Sequence, residues 1–105
     1  MVPAGEKTRA WVGGKLDLWL MLQGQNPTGS FKDQGMTVLV SLAKAAGITS
    51  IACASTGDTS ASAAAYAAAA GMKCVVFVPK GMITDEQAAQ LYAYGATIVW
   101  VPGTF

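Results

Sequence analysis

A chain of 105 residues that is 52% apolar and only 12% charged is built to bury itself, which excludes disorder and sets one small domain as the scale. Its net charge of +1 comes without a basic block, which argues against nucleic acid and against an anionic membrane surface as partners. Histidine is absent, so Ser-His-Asp and Cys-His catalysis and every His-based metal site are excluded.

Residues 1–15 read as a loose, glycine-containing lead-in. Positive charges precede an apolar segment there, in the outline of a signal peptide. Asp17 interrupts that segment and no small-residue cleavage site follows, so a signal peptide is not expected. The run "KLDLWLML" (15–22) predicts a first strand. The loop "GQNPTGSFKD" (24–33) follows. It approaches the spacing of a nucleotide phosphate loop, but Ser30 stands directly after Gly29 and the lysine comes late, as Lys32. A first helix is predicted next, with Ser30 as N-cap and Asp33 closing a capping box. Phe31, Gly35, Val38, Leu39, Leu42 and Ala46 fall on its expected core face.

Gly47, Gly71 and Gly95 then recur every 24 residues. Each ends a helical pattern and opens a strand-like one: "ITSIACA" (48–54), "MKCVVFV" (72–78) and "ATIVWV" (96–101). Between them lie an alanine-rich helix after Thr59 and a helix from Thr84 to about Tyr94, the latter opened by a Thr84/Gln87 capping box. No leucine-rich consensus supports a solenoid. The order β-α-β-α-β-α-β predicts an α/β fold, a three-layer parallel sheet of about four strands with right-handed crossover helices. Ligands of such sheets bind beyond the carboxyl ends of the strands, which directs attention to loops 23–30 and 55–59.

Two residue sets there carry chemistry. As the second residue of its helix, Lys32 faces the positive end of the dipole, which disfavours a cation by about 0.3–1 kcal/mol. That field favours a neutral amine able to form a Schiff base; alternatively Lys32 is an exposed lysine paired with Asp33. In "ASTGDTSASAAAYA" (54–67), Ser55, Thr56, Thr59 and Ser60 offer hydroxyls and Gly57 allows close approach to the backbone. The loop reads either as an anion site at a helix N-terminus or as simple capping with Asp58 as N-cap. Cys53 and Cys74 sit in apolar runs without metal spacing; both read as reduced, buried and inert, which favours a cytoplasmic protein. Trp19, Phe77, Tyr92, Tyr94 and Trp100 read as core or sheet-facing, and Met36, Met72 and Met82 as filler.

Taken together, "NPTGSFKDQGM" (26–36) and "CASTGDTSASAAAYAAAAG" (53–71) resemble the threonine synthases. These are pyridoxal-phosphate enzymes of the fold group that includes tryptophan synthase β and the serine and threonine dehydratases. The resemblance spans residues 16–105. It implies that Lys32 forms the Schiff base with pyridoxal phosphate and shuttles protons once substrate frees it. It implies that Ser55, Thr56, Gly57 and Thr59 bind the substrate α-carboxylate. Asp58 stands where many members carry Asn beside the cofactor's 3-oxygen. The implied reaction converts O-phosphohomoserine and water to threonine and phosphate, and a homodimer is implied for the full-length protein.

Gln23, Gln34 and Met21 depart from the family's usual acidic, Arg and Lys residues. Members are also several times longer and bring a glycine-rich phosphate loop that has no counterpart here. Residues 16–105 are therefore expected to be part of a pyridoxal-phosphate enzyme domain, the lysine half of a site whose second domain is missing, with weak or no activity alone. Another lyase or dehydratase of the fold group, or a non-catalytic αβ module, are the competing readings.

Overall fold

The computed structural model describes residues 1–103. Strand β1 (Val2–Pro3), helix α1 (Glu6–Trp11) and strand β2 (Trp19–Leu20) come first, followed by a 3-10 turn at Gln23–Gln25. Then follow α2 (Lys32–Ala45), β3 (Ser50–Ala54), α3 (Asp58–Ala70), β4 (Lys73–Pro79), α4 (Asp85–Ala93) and β5 (Thr97–Val101).

The parallel α/β architecture expected from the sequence is present. β3, β4 and β5 form a parallel sheet in that order, with Cys53 opposite Val76 and Val76 opposite Ile98. α3 and α4 are the crossovers and contact each other, so both lie on one face of the sheet. Cys74, Val76 and Val78 of the central strand turn to that face and are buried with Ala63, Ala64, Ala67 and Leu91. α2 packs along α3 and adds Met36 and Val40 to the same core. The opposite sheet face, carrying Ala52, Ala54, Phe77, Thr97 and Val99, is exposed. The helices thus supply one of the two layers expected over the sheet.

The repeat of glycines does what the spacing predicts: Gly71 ends α3 in the left-handed region (φ 71°), and Gly47 and Gly95 take φ 77° and 76°. The Thr84/Gln87 capping box forms in both directions, at 3.3 and 2.9 Å.

Three expectations are revised. The predicted first strand, 15–22, contracts to Trp19–Leu20 and pairs antiparallel with Val2–Pro3 instead of joining the parallel sheet. A strand is held by its neighbours, a two-strand ribbon is marginal, and Pro3 has no N–H to donate. The radius of gyration, 17.5 Å, exceeds the ~13 Å of a compact 100-residue domain, because β1, α1 and β2 pack on none of the later elements.

Second, α2 buries a different face from the one its apolar spacing suggests. Asp33, Met36 and Val40 are buried, whereas Phe31, Val38, Leu39 and Leu42 are 50–66% exposed. The two sides lie roughly 150° apart at 100° per residue. Only one of them meets α3, and the larger apolar side has no covering layer. Third, Trp19, Phe77, Tyr92, Trp100 and Met82 are exposed rather than core, Phe77 because its side of the sheet carries no helix, while Met36 and Met72 are buried and Tyr94 packs on the core edge. Among the described residues no helix is long and apolar enough to cross a membrane.

Candidate functional site

Asn26–Gly29 closes a tight turn in which the Gly29 N–H donates to the Asn26 carbonyl at 2.8 Å. Pro27 presets the second position of that turn, and Gly29 takes φ 78° at its end. The Asn26 amide donates to Gln23 Oε1 and to the Ser30 carbonyl, both at 2.9 Å. The chain is thereby turned into α2 with its backbone already bonded.

Lys32 is the first residue of α2, with Phe31 at the N-cap position, rather than the second residue behind a Ser30 cap. Ser30 Oγ still accepts a bond, from the Lys32 N–H at 3.2 Å. The Ser30/Asp33 capping box does not form, because Asp33 turns inward. Its carboxylate accepts from the Thr28 N–H (2.8 Å), Thr28 Oγ1 (2.5 Å) and, from α3, Ser62 Oγ (2.6 Å). Asp33 is 2% exposed. Burial alone would push its carboxyl up, but the hydroxyls of Ser62 and Thr28 and the Thr28 N–H outweigh it and hold the carboxyl below its ordinary value. The carboxylate is therefore committed to Thr28 and Ser62. The exposed Lys32 side chain instead lays its Nζ 4.7 Å from the centre of the exposed Phe31 ring.

The second loop enters α3. Gly57 is the N-cap, without a capping side chain, and α3 begins at Asp58. The reading of Asp58 as N-cap and of a helix starting after Thr59 is corrected accordingly: the Gly57 carbonyl accepts the first helical bond, from the Ser60 N–H at 3.1 Å. Ser55 Oγ accepts from the Gly57 N–H at 3.2 Å, and Ser60 Oγ donates to the Gly57 carbonyl at 2.7 Å. Ser55, Thr56, Gly57 and Thr59 are half-buried and Asp58 is exposed. A Cβ placed on Gly57 would meet no atom within 4 Å, so its backbone is open to approach. A cleft of about 20 Å³ lies between Thr56–Ala61 and α4, lined there by Gln87 and Leu91. It has room for one water. A wider cleft, about 480 Å³, lies between α1 and residues 14–17, away from both loops.

The two regions singled out in the sequence are thus the N-termini of two helices that pack side by side, tied by the Asp33–Ser62 bond. The residues missed in the sequence are Thr28 and Ser62. Thr28 carried a signal, as a hydroxyl in a tight turn five positions before an acid; Ser62 carried none, being one small residue in an alanine run. Away from the site, Cys53 and Cys74 are free. Burial pushes both thiols up, and with Cys53 close by that of Cys74 reaches about 11, in keeping with inert thiols.

Residues 7–105 match the family described as pyridoxal-phosphate dependent enzyme. The chain is 53% identical over 90 residues to the threonine synthase of Bacillus sp. (strain ULM1), covering 86% of this chain and 26% of that protein. It is 49% identical over 92 residues to the threonine synthase of Methanocaldococcus jannaschii, covering 88% and 23%. A crystal structure of a hydrogen sulfide-producing enzyme from Fusobacterium nucleatum superposes with a TM-score of 0.71 at 27% identity, over 78% of this chain and 28% of that one. The chain spans about a quarter of the length of the curated relatives it matches.

Proposed function

The chain belongs to the pyridoxal-phosphate-dependent enzymes, and from that premise we propose that it is the lysine-bearing part of a threonine synthase, converting O-phosphohomoserine and water to threonine and phosphate. The observation that carries the reading is the juxtaposition of Lys32 with the 55–59 loop, two helix N-termini joined through Asp33 and Ser62.

The residues present suit the cofactor. An accessible primary amine stands at the start of α2, and Asp33, its neighbour in sequence, is engaged elsewhere. The other helix starts at an uncapped glycine whose following N–H groups attract anions. In this proposal Lys32 would hold pyridoxal phosphate through its aldehyde, and Asp58 would line the cofactor site. When bound, the cofactor supplies an electron sink for carbanion chemistry. Lys32 would take and return protons at the substrate carbons. Ser55, Thr56, Gly57 and Thr59 orient the α-carboxylate with hydroxyls and backbone N–H groups. The rest of the enzyme, including what grips the cofactor phosphate, comes from the polypeptide that makes up the other three quarters of the relatives. A homodimer and a cytoplasmic location belong to the same proposal.

Incubation with pyridoxal phosphate, borohydride reduction and peptide mapping test the first step. Label concentrated on Lys32 is expected, and its loss in Lys32→Ala. Label scattered over Lys7, Lys15, Lys44, Lys73 and Lys80 overturns the assignment. Threonine release by the purified 105-residue chain overturns the proposal that these residues carry only part of the site. Because the Fusobacterium structure belongs to a hydrogen sulfide-producing enzyme, a different pyridoxal-phosphate lyase is the second reading. Product analysis with O-phosphohomoserine against serine, on a polypeptide extended to the relatives' length, separates the two.

A further inference from the structure

We propose that Asp33 is a positioning residue that sets the Lys32 backbone against the 55–59 loop, by joining the turn before Lys32 to the second turn of α3. The inference rests on Lys32 being the cofactor lysine, but its mechanical part stands on contacts alone.

Three bonds converge on one carboxylate from two directions. Thr28 gives its N–H and its hydroxyl from the 26–29 turn, and Ser62 gives its hydroxyl from a position 29 residues away. Ser62 is fully buried and Asp33 nearly so. A buried carboxylate is expensive unless its oxygens are bonded; here Oδ1 receives two hydroxyls and Oδ2 a backbone N–H. A neutral side chain could fill this volume, but only an ionised carboxylate can accept from all three donors at once.

The consequence is geometric. Lys32 lies between two fixed points, the Ser30 hydroxyl on its own N–H and the Asp33 anchor one residue on. Ser62 lies one helical turn beyond Asp58 and Thr59 on α3, whose start is shaped by Ser55 and Ser60. Loosening Asp33 therefore frees both loops together. A purely local cap would free only its own.

Amide hydrogen exchange on the 105-residue chain, without added cofactor, reads this coupling. Asp33→Asn and, from the other side, Ser62→Ala are expected to speed exchange about tenfold in both 26–32 and 55–62, with α4 unchanged. Thr28→Val is expected to act in the same way, and Thr28→Ser, which keeps the hydroxyl, to behave as the parent chain. Should Asp33→Asn fail to fold, Ser62→Ala carries the same test. Faster exchange confined to the segment that bears the substitution overturns the proposal.

A second readout uses pyridoxal phosphate and borohydride trapping. The share of label on Lys32 is expected to fall severalfold in Ser62→Ala, although that residue is remote from Lys32 in sequence. An unchanged share, where the parent chain labels Lys32 selectively, overturns the positioning role. Scattered label in the parent chain overturns instead the assignment of Lys32, and the exchange data then decide the coupling by themselves.

Discussion

α3 and α2 invert the usual relation between hydrophobicity and burial. α3 is a run of alanines and serines, yet Ser60, Ala61, Ser62, Ala63, Ala64 and Ala67 are all buried. α2 carries Val38, Leu39 and Leu42, yet these are exposed and the residue it buries most deeply is an aspartate. The difference is one of place. α3 is enclosed by the sheet, α2 and α4, and small side chains let all three approach it closely. α2 lies outside α3 and touches the molecule along one side only. Residue size is matched to the space between layers, and burial follows from how many layers a helix meets.

The strongest way to break this contrast is to enlarge α3. Ala64 is completely buried, so Ala64→Leu forces extra volume between α3 and its neighbours. It is expected to cost about 1–3 kcal/mol or more in urea denaturation. A loss under half of that would mean that the three layers are looser than their burial indicates.

Asp33→Asn is expected to destabilise the chain by about 1–3 kcal/mol near neutral pH, through buried donors left unpaired. It also has a pH signature. The Asp33 carboxyl is held below its ordinary value of 3.8 in the folded chain. The unfolded chain therefore takes up the proton first as pH falls. The stability from this group is complete above the ordinary value and is lost as pH drops through the folded one. Asp33→Asn should flatten that acid-side loss; an unchanged slope between pH 5 and 2 would remove Asp33 as its source.

The smallest effect belongs to the exposed side of α2. Leu42, at 66% exposure, has little burial to lose, so Leu42→Gln is expected to change stability by less than about 0.5 kcal/mol. It should raise solubility by breaking an apolar stripe. A loss comparable to that of Ala64→Leu would show that this side is covered in solution, and concentration-dependent melting would identify a second copy as the cover.

The positions legible in the sequence were those whose conformation is set by near neighbours. Gly47, Gly71 and Gly95 had to end helices because a left-handed residue is needed there and glycine adopts it freely. Thr84 and Gln87 cap each other within one turn. Short apolar runs between such stops form the parallel strands, and Lys32 and the 55–59 loop fall at helix starts because turn-forming residues, Asn26–Gly29 and Ser55–Gly57, precede each helix. Distant partners decided the rest. Asp33 had a plausible local role as a capping-box residue and surrendered it to Ser62, 29 positions away, because a buried carboxylate gains more from three donors than from one exposed backbone N–H. Periodicity marked α2 as apolar on its Leu39–Leu42 side, but only tertiary contact could choose between two apolar sides. The run 15–22 has the alternation of a strand, yet a strand exists through the partners that accept its hydrogen bonds, and here the partner is Val2–Pro3 rather than the sheet. Local stereochemistry is written residue by residue; which face is covered, and which donor meets which acceptor, depends on elements far apart in the chain meeting in space.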